Sequence, residues 1–522
     1  MEGFQVVFAL FVALAAIATL ARRILVPYPI LLVIGGLLIG LIPGLPRVQI
    51  DPDLILPIFL PPLLYTAALA MPPRELRENL QPIALLALGL VLLTMTAVAV
   101  VAHTSIHGLS WAAGFTLGAI VSPPDPVAAV AIANRLGLPR RLVTILEGEG
   151  LFNDATALVA YRLAVGAVVS GTFSVLDVGV RFLLAAVGGV AIGLVVGWAA
   201  KVVLGRLVDP PVENTVHLLV PFAAYLLAER VGASGILATL TTGLFMARYG
   251  RTAVTSAARV QGQGLWDILV FILEGVTFLL IGLELRPVLE GLAGRPVAAL
   301  LGEAALVCLV VIVGRIIWVF SASAIRHRLR LWRGAPDPTP GWRSSAVVAW
   351  AGMRGVVSMA AALALPFTTD TGAPFPERSL LVFLSFSVIL VTLVGQGLTL
   401  PVLIRRLDVV EPAGRASREE AAARARLARV ALERLEELEH DLDLPEERLE
   451  PLRRRYQNQI ERFDSRDGHE AGDGELLRTV RRELLRAERG ELLRIRNEQG
   501  LSPAVYRRVN HDLDVEELRL DR

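Results

Sequence analysis

The stretch Gly118-Ala-Ile-Val-Ser-Pro-Pro-Asp-Pro-Val127 lies in the middle of an apolar run that covers residues 111–134. A proline inside a helix removes a backbone donor and clashes with the preceding turn, which costs about 3 kcal/mol. Because Pro123, Pro124 and Pro126 surround Asp125, a helix through this run must break near its centre. Broken backbone at membrane depth persists only where protein encloses it or where it lines a wet cavity. The alternative is a proline kink in which Asp125 neutralises a nearby helix end.

The next apolar run, 142–169, holds three acidic residues, Glu147, Glu149 and Asp154. A charged residue at the centre of a bilayer costs at least about 3 kcal/mol on insertion scales, so three of them point to a function. Asp154 lies about 13 residues, or roughly 20 Å of helix, from the start of its run. Asp125 lies about 14 residues from the opposite end of its own run. Both carboxylates are therefore expected at a similar, central depth.

Helical geometry separates the three acids of this run. Glu149 precedes Asp154 by five positions, so at about 100° per residue it points toward a different neighbour. Glu147 precedes Asp154 by seven positions and falls on the same face, two turns closer to the predicted cytoplasmic end. Glu147 is therefore a candidate for the entry path to Asp154. The alternative is an ordinary carboxylate at the membrane interface.

A second interrupted run, 344–366, contains Gly352-Met-Arg-Gly355. The two glycines weaken the helix locally, and Arg354 needs an acidic partner inside the apolar run. We expect Glu149 to be that partner in a structural ion pair, with Glu274 as the alternative. This run and the run of Asp125 cross the membrane in opposite directions, since they are seven spans apart. Two interrupted helices in inverted orientation, with charge at mid-depth, are typical of secondary transporters.

Composition divides the chain into two parts. Of 522 residues, 54% are hydrophobic and 19% are charged, with 50 charged residues in positions 1–410 and 50 in the last 112 positions. The sequence predicts a transmembrane domain at 1–410 and a cytoplasmic, charged helical tail at 411–522. A soluble enzyme is excluded. The tail is interpreted as a solvated helical bundle or arm, or alternatively as a regulator of the membrane domain.

The fold class predicted is an all-α integral membrane protein with inverted repeats and two broken crossing helices. A span needs about 20 helical residues, and about thirteen runs qualify. They are 3–20, 24–43, 54–71, 82–102, 111–134, 142–169, 178–204, 213–229, 233–249, 264–285, 296–322, 344–366 and 379–404. With the N-terminus outside, 19 basic residues fall in cytoplasmic loops and 5 in outer loops. This asymmetry predicts a multi-pass protein of the cell membrane with a cytoplasmic C-terminus.

Several motifs together resemble the monovalent cation:proton antiporter-1 family, which contains bacterial and animal sodium/proton exchangers. The resemblance extends from about residue 26 to residue 408. It rests on five segments: Leu60-Pro-Pro-Leu-Leu-Tyr65, the break at Ser122–Val127, Glu149-Gly-Leu-Phe-Asn-Asp154, Phe278-Leu-Leu-Ile-Gly-Leu283 and Gly352-Met-Arg-Gly355.

The resemblance implies a role for each matched residue. Asp154 would bind either a proton or a monovalent cation, and Asn153 would mark the Asn-Asp pair of electroneutral exchangers. Asp125 would belong to the crossing and contribute to the cation site. Glu149 and Arg354 would form the structural ion pair, and the protein would be a homodimer.

The sequence also departs from the family pattern near the site. Thr66 stands where an acidic residue is common, and Pro124 and Gly150 stand where hydroxyl residues are expected. Glu274 occupies a position where a polar amide is expected. Thr66, Pro124 and Gly150 remain candidate members of the cation and proton site, with fewer side-chain oxygens than usual.

The predicted function is exchange of Na⁺ or Li⁺ for H⁺ by competition of proton and cation for Asp154, supporting pH homeostasis. A K⁺/H⁺ antiporter on the same scaffold is the alternative, and an ion channel or an intramembrane protease lies outside this class. No cofactor is expected; the cargo is a monovalent cation and a proton, and the surroundings are membrane lipid. The slightly acidic tail gives no support for nucleic-acid binding. A single cysteine, Cys308, excludes an intramolecular disulfide.

Overall fold

The computed structural model describes residues 2–24, 28–40, 42, 51–171, 175–250, 253–292, 294–332, 341–410, 415–442 and 446–464, with scattered residues between 484 and 516. The chain divides into two compact units, Met1–Val410 and Glu411–Arg522. In the second unit α19 (Arg415–Leu442) packs against α20 (Glu446–Asp464), and Arg453 bonds Glu439 at 2.6 Å. Most of the predicted tail after residue 464 lies outside the described residues.

The first unit is built from helices, and its described part contains only an isolated bridge between Thr368 and Pro374 in place of a sheet. Its earlier helices are α1 (Glu2–Ile24), α2 (Tyr28–Gly40), α3 (Pro52–Ala70), α4 (Pro73–Glu78), α5 (Leu80–Ala84), α6 (Val91–Ser105), α7 (Trp111–Val121), α8 (Pro126–Arg135) and α9 (Arg140–Ser170). Its later helices are α10 (Val175–Leu204), α11 (Pro210–Arg230), α12 (Gly235–Tyr249), α13 (Ser256–Gly291), α14 (Val297–Trp332), α15 (Trp342–Trp350), α16 (Val356–Leu363), α17 (Arg378–Leu390) and α18 (Gly397–Leu407).

The prediction of an all-helical membrane protein is confirmed. Among the described residues, 8 helical stretches are long and apolar enough to cross a membrane, and α1 and α2 contribute shorter apolar helices. Apart from the two breaks and the residues outside the described ranges, the predicted runs lie almost entirely in helices, and residues 231–234 separate α11 from α12. The number of thirteen crossings stays a prediction.

Both interrupted helices are present where the sequence predicts them. The first stops at Val121 and resumes at Pro126, because the prolines of the stretch cannot continue the hydrogen-bond ladder. The second stops at Trp350 and resumes at Val356, across the segment that contains both glycines. Two six-residue π-helical segments, Leu85–Leu90 and Val391–Gln396, interrupt two further spans.

The helices of the membrane unit pack as two bundles. Bundle A consists of α5–α9 and α14–α18 and contains both broken helices, whereas bundle B consists of α1–α3 and α10–α13. Bundle B has an apolar cluster of its own, formed by Tyr65, Val220, Met246, Trp266 and their neighbours. The bundles meet where α13 packs on α16 and α17 and where α12 packs on α9.

A polar contact joins the two bundles at the end of α9 remote from Arg140. Arg162 of bundle A donates to Glu229 at 2.5 Å and to the Tyr225 hydroxyl at 2.8 Å, both on α11 of bundle B. The Glu229 carboxylate also accepts the Gly235 N–H at 2.9 Å, at the start of α12. The Arg162 and Glu229 side chains are about one third exposed whereas Tyr225 is buried, so the contact extends from the edge of the boundary between the bundles into its interior.

Within bundle B, α2 and α13 approach each other closely. A Cβ atom on Gly36 would collide with the Leu279 carbonyl, and one on Gly282 would collide with the backbone of Gly36. Gly36 and Gly40 lie one turn apart, the small-xxx-small spacing that lets membrane helices pack backbone to backbone. This contact holds α13, which faces the broken helices, at a fixed distance from α2.

We expect Gly282→Ala to lower the melting temperature of the detergent-purified protein. The added methyl group meets backbone rather than a movable side chain, and overpacking of this kind costs about 1–3 kcal/mol or more. Gly264→Ala on the same helix is the matched control, because nothing lies within 4 Å of its added Cβ. Equal melting temperatures for Gly282→Ala and the wild-type protein would contradict this packing.

Candidate functional site

The breaks of the two interrupted helices lie against each other. The Asp125 N–H donates to the Met353 carbonyl at 2.6 Å, and the Ser358 hydroxyl donates to the Pro123 carbonyl at 3.4 Å. Each extended segment therefore satisfies backbone groups of the other. The crossing places two helix N-termini and two helix C-termini in the interior of the protein.

The Asp125 carboxylate caps both N-termini. Its Oδ1 accepts the Val127 N–H at 2.9 Å at the start of α8, and its Oδ2 accepts the Val356 N–H at 3.2 Å at the start of α16. Helix N-termini carry partial positive charge, so one carboxylate compensates two of them. A Cβ at Gly355 would collide with this carboxylate, which explains the glycine there. The capping interpretation of Asp125 thus describes its contacts, and its role as a cation ligand stays a prediction.

The Arg354 guanidinium donates hydrogen bonds to carbonyl groups at both helix C-termini. Its Nε donates to the Val121 carbonyl at 3.0 Å at the end of α7, and its Nη1 donates to the Gly352 carbonyl just after α15. Its backbone N–H donates to the Thr392 hydroxyl at 3.1 Å. Since C-terminal carbonyls carry partial negative charge, a fully buried arginine here is compensated by helix ends.

The prediction that Glu149 forms an ion pair with Arg354 is wrong, because Glu149 pairs with a different arginine. Glu149 is bound through both carboxylate oxygens by Arg315 of α14, with one nitrogen–oxygen distance of 2.8 Å. Arg315 also donates to the Val348 carbonyl at 3.0 Å. Bidentate pairing suits the planar guanidinium of Arg315, whereas Arg354 donates to the crossing through Nε and Nη1 and its Nη2 has no hydrogen-bond partner among the described residues. In the sequence, the indication that Arg315 needs an acidic partner is its position inside the apolar run 296–322.

The alternative partner of Arg354, Glu274, has a different neighbour. Its carboxylate accepts the Tyr28 hydroxyl at 2.5 Å, across the contact of α13 with α2. No ion pair to Glu274 is present in the described part of the chain. Neither of the two predicted acidic partners is therefore in direct contact with Arg354.

Asp154 and Asn153 lie near the crossing, and their side chains form no hydrogen bonds with the described residues. Asp154 is buried and interacts electrostatically with Asp125, but among the described residues its carboxylate accepts no hydrogen bond. Asn153 is fully buried, and neither its amide nitrogen nor its amide oxygen has a hydrogen-bond partner there. Buried polar groups are nearly always hydrogen-bonded, so a cluster of unsatisfied ones indicates room for an ion or water.

The remaining predicted site residues contribute backbone and space. A Cβ at Gly150 would collide with Pro126, so Gly150 lets α9 approach the start of α8. Pro124 is buried in the break. The Thr66 hydroxyl donates to the Pro62 carbonyl at 2.9 Å and the Leu63 carbonyl at 3.0 Å of its own helix. Pro124 and Gly150 have no side-chain oxygen, and the Thr66 hydroxyl donates its hydrogen to its own helix, so the place of Thr66 in the cation site stays a prediction.

Glu147 lies between Asp154 and the arginine-rich end of α9. It is half-buried and interacts with Glu75 and Arg140. Partial burial raises the pKa of the Glu75 carboxyl, but hydrogen bonds from Thr144 and Arg140 outweigh this and lower it. Charged groups therefore extend from the end of α9 to within two turns of Asp154, and the entry-path role of Glu147 stays a prediction.

The arrangement offers oxygen ligands to a hard monovalent cation. A carboxylate, an amide oxygen and the unwound backbone of two half-helices are the groups that secondary transporters use to coordinate Na⁺ or H⁺. The crossing supplies the backbone, Asp154 the charge and Asn153 the amide. A single carboxylate with no fixed partner can hold either a proton or a cation.

A double-mutant cycle tests the revised ion pair. We expect Arg315→Met to destabilise the protein by about 3–5 kcal/mol, because it leaves Glu149 as an unpaired buried charge. Adding Glu149→Gln should restore part of that loss, measured by thermal or denaturant unfolding in detergent. The same cycle with Arg354→Met should show a smaller coupling energy with Glu149. Equal coupling for the two arginines would contradict the assignment.

A comparison with protein families and relatives agrees with the site. The family described as "Sodium/hydrogen exchanger, transmembrane" matches residues 7–406. A Mycobacterium tuberculosis protein named as an uncharacterized Na⁺/H⁺ exchanger is 35% identical over 99% of this chain and 96% of its own length. The Na⁺/H⁺ antiporter ApNhaP of Aphanothece halophytica is 32% identical over 83% of this chain and 80% of its own. A Bacillus subtilis sodium, potassium, lithium and rubidium/H⁺ antiporter is 32% identical over 77% of this chain and 62% of its own.

The fold is similar to that of a solved structure. The sodium proton antiporter MjNhaP1 of Methanocaldococcus jannaschii at pH 8 matches 79% of this chain and 100% of its own, with a TM-score of 0.62 and 20% sequence identity. The family match covers most of the membrane unit, including both breaks and Asp154. The chain therefore belongs to the sodium/hydrogen exchanger family.

Proposed function

We propose that this protein is a secondary antiporter that exchanges Na⁺ for H⁺ at Asp154. The observation that carries the proposal is the pair of buried side chains, Asp154 and Asn153, that lack partners beside the crossing. The relatives support Na⁺, since the Aphanothece protein is named for Na⁺ and the Bacillus protein for Na⁺, K⁺, Li⁺ and Rb⁺. Exchange of K⁺ alone is less favoured for the same reason, and Li⁺ is a secondary cargo.

The exchange follows from competition at one carboxylate. Asp154 holds a proton or a cation but not both, with Asn153 and carbonyls of the break completing the coordination of the cation. Emptied of both, the carboxylate is an unpaired buried charge, which disfavours movement without cargo. A low pH at the binding face favours the proton, so cation uptake from that face decreases as the pH falls.

Movement of one bundle past the other would expose Asp154 to each side in turn. Bundle A carries the whole crossing, and α3 and α13 of bundle B pack on its α16 half-helix. The contact of Arg162 with Glu229 and Tyr225 joins the bundles, so it must break and reform as they move.

The stoichiometry, oligomeric state, membrane topology and domain roles that we propose are those that the sequence predicts. Because Asn153 is neutral, one proton is exchanged for one cation and transport is electroneutral. The protein acts as a homodimer in the cell membrane, with the N-terminus outside and the C-terminus in the cytoplasm, and it supports pH homeostasis. Residues 1–410 form the exchange domain, and the tail at 411–522 is a cytoplasmic helical appendage.

Asp154→Asn should abolish cation-dependent proton movement in proteoliposomes that hold a pH gradient and a pH-sensitive dye. The amide cannot carry a proton or compensate Na⁺, whereas the folded yield should be retained because Asp154 has no structural partner. Asp53→Asn, at the exposed start of α3, is the matched control with normal exchange. Exchange at the wild-type rate by Asp154→Asn would contradict the assignment of Asp154 as the exchanging carboxylate.

Asn153→Ala separates binding from stability. Loss of an unsatisfied buried amide should leave the melting temperature unchanged or raised, since such a group costs about 1–3 kcal/mol. The apparent KM for Na⁺ should rise, because the cation loses a ligand. A lower melting temperature with an unchanged KM would show instead that Asn153 is structural.

A further inference from the structure

Four carboxyl groups of the described residues are fully buried: Glu149, Asp154, Glu213 and Glu274. Two of them are well compensated. Glu149 is held by the Arg315 guanidinium, and Glu213 accepts both the N–H and the hydroxyl of Thr255 at 2.8 Å. A buried carboxylate costs several kcal/mol unless such donors surround it. Glu149 and Glu213 are therefore structural.

Glu274 is compensated much less. The Tyr28 hydroxyl is the only donor that its carboxylate has among the described residues, and Tyr28 is itself held by packing on Phe271, one turn earlier on α13. No arginine, lysine or histidine of the described part forms an ion pair with it. In this respect Glu274 resembles Asp154 rather than the two structural glutamates.

Glu274 also faces the crossing from the other bundle. It interacts electrostatically with Asp125, and Asp125 interacts with Asp154. Asp125 in the break thus interacts with carboxyl groups of both bundles, Asp154 on α9 and Glu274 on α13. Among the described residues, the titratable groups that interact with Glu274 are Tyr28 on α2 and Asp125 in the break. Like charges so close together disfavour each other unless a proton or a cation accompanies them.

We propose that Glu274 is an electrostatic guide of the exchange site, a buried carboxylate that draws the cation toward Asp154 from the bundle B side while Asp154 alone binds the exchanged proton or cation. This inference rests on the proposed exchange function and adds a residue to it. Tyr28 acts as a positioning residue, because its hydroxyl fixes the carboxylate without neutralising it. When Glu274 is charged it attracts the cation, and when it is protonated the attraction is lost.

The test is the apparent KM for Na⁺ of Glu274→Gln, measured from pH 6 to pH 9 in proteoliposomes. The variant removes one unit charge near the site, and at an effective dielectric constant of about 20 the lost attraction should raise the KM by about tenfold at alkaline pH. The difference from the wild-type protein should shrink at acid pH, where Glu274 carries a proton in the wild-type protein too. A purely structural role would not produce this pH-dependent gap, since glutamine is nearly isosteric and still accepts the Tyr28 hydrogen bond.

Further variants make the result decisive. Glu274→Asp should recover most of the wild-type KM, and Tyr28→Phe should change the pH at which the KM rises. Glu290→Gln, an exposed glutamate on the same helix, is the matched control and should leave the KM unchanged. A KM for Glu274→Gln equal to the wild-type value at every pH overturns this inference. If Asp154→Asn is inactive in the same assay, that result leaves the proposed function intact; normal exchange by Asp154→Asn overturns both.

Discussion

The structure depends on charge compensation at four helix ends that meet inside the protein. Two half-helices begin there and two end there, and their partial charges cannot be hydrated by bulk water. Asp125 binds both N-termini and Arg354 binds both C-termini, so one acid and one base stabilise the crossing. In the exchange that we propose, the buried carbonyl groups between the helix ends that these two side chains leave unused are the backbone ligands of the cargo ion.

This use of Asp125 and Arg354 gives the other charged residues separate tasks. The Arg315 guanidinium binds Glu149, so the charge of Glu149 is compensated within bundle A, between α9 and α14. Asp154, five residues later on the same helix, is left beside the crossing with no fixed counter-charge. One helix therefore carries a structural carboxylate and a carboxylate that can exchange its partner. That division is the physical basis for an exchange site.

The sequence was sufficient to predict the two breaks. Proline and glycine act on the local backbone, so Pro123, Pro124 and Gly352 identify the interruptions without reference to distant residues. Helical periodicity also separated the direction of Glu149 from that of Asp154. Periodicity gives the face of a residue, however, and not the helix that will cover that face. Arg315 and Tyr28 lie in apolar runs with no local signal that they would bind Glu149 and Glu274, so these partners required the three-dimensional structure.

The ion pair of Glu149 and Arg315 has a consequence for biogenesis. Its partners are 166 residues apart in the chain, and Asp125 is 231 residues from Val356. At about 5–20 residues per second, the ribosome needs roughly 8 to 33 seconds to synthesise the interval between Glu149 and Arg315. During that time α9 has entered the insertion machinery with an acid whose counter-charge does not yet exist. The first broken helix is likewise incomplete until the second arrives, so the final assembly of the membrane unit is a late, post-insertional event.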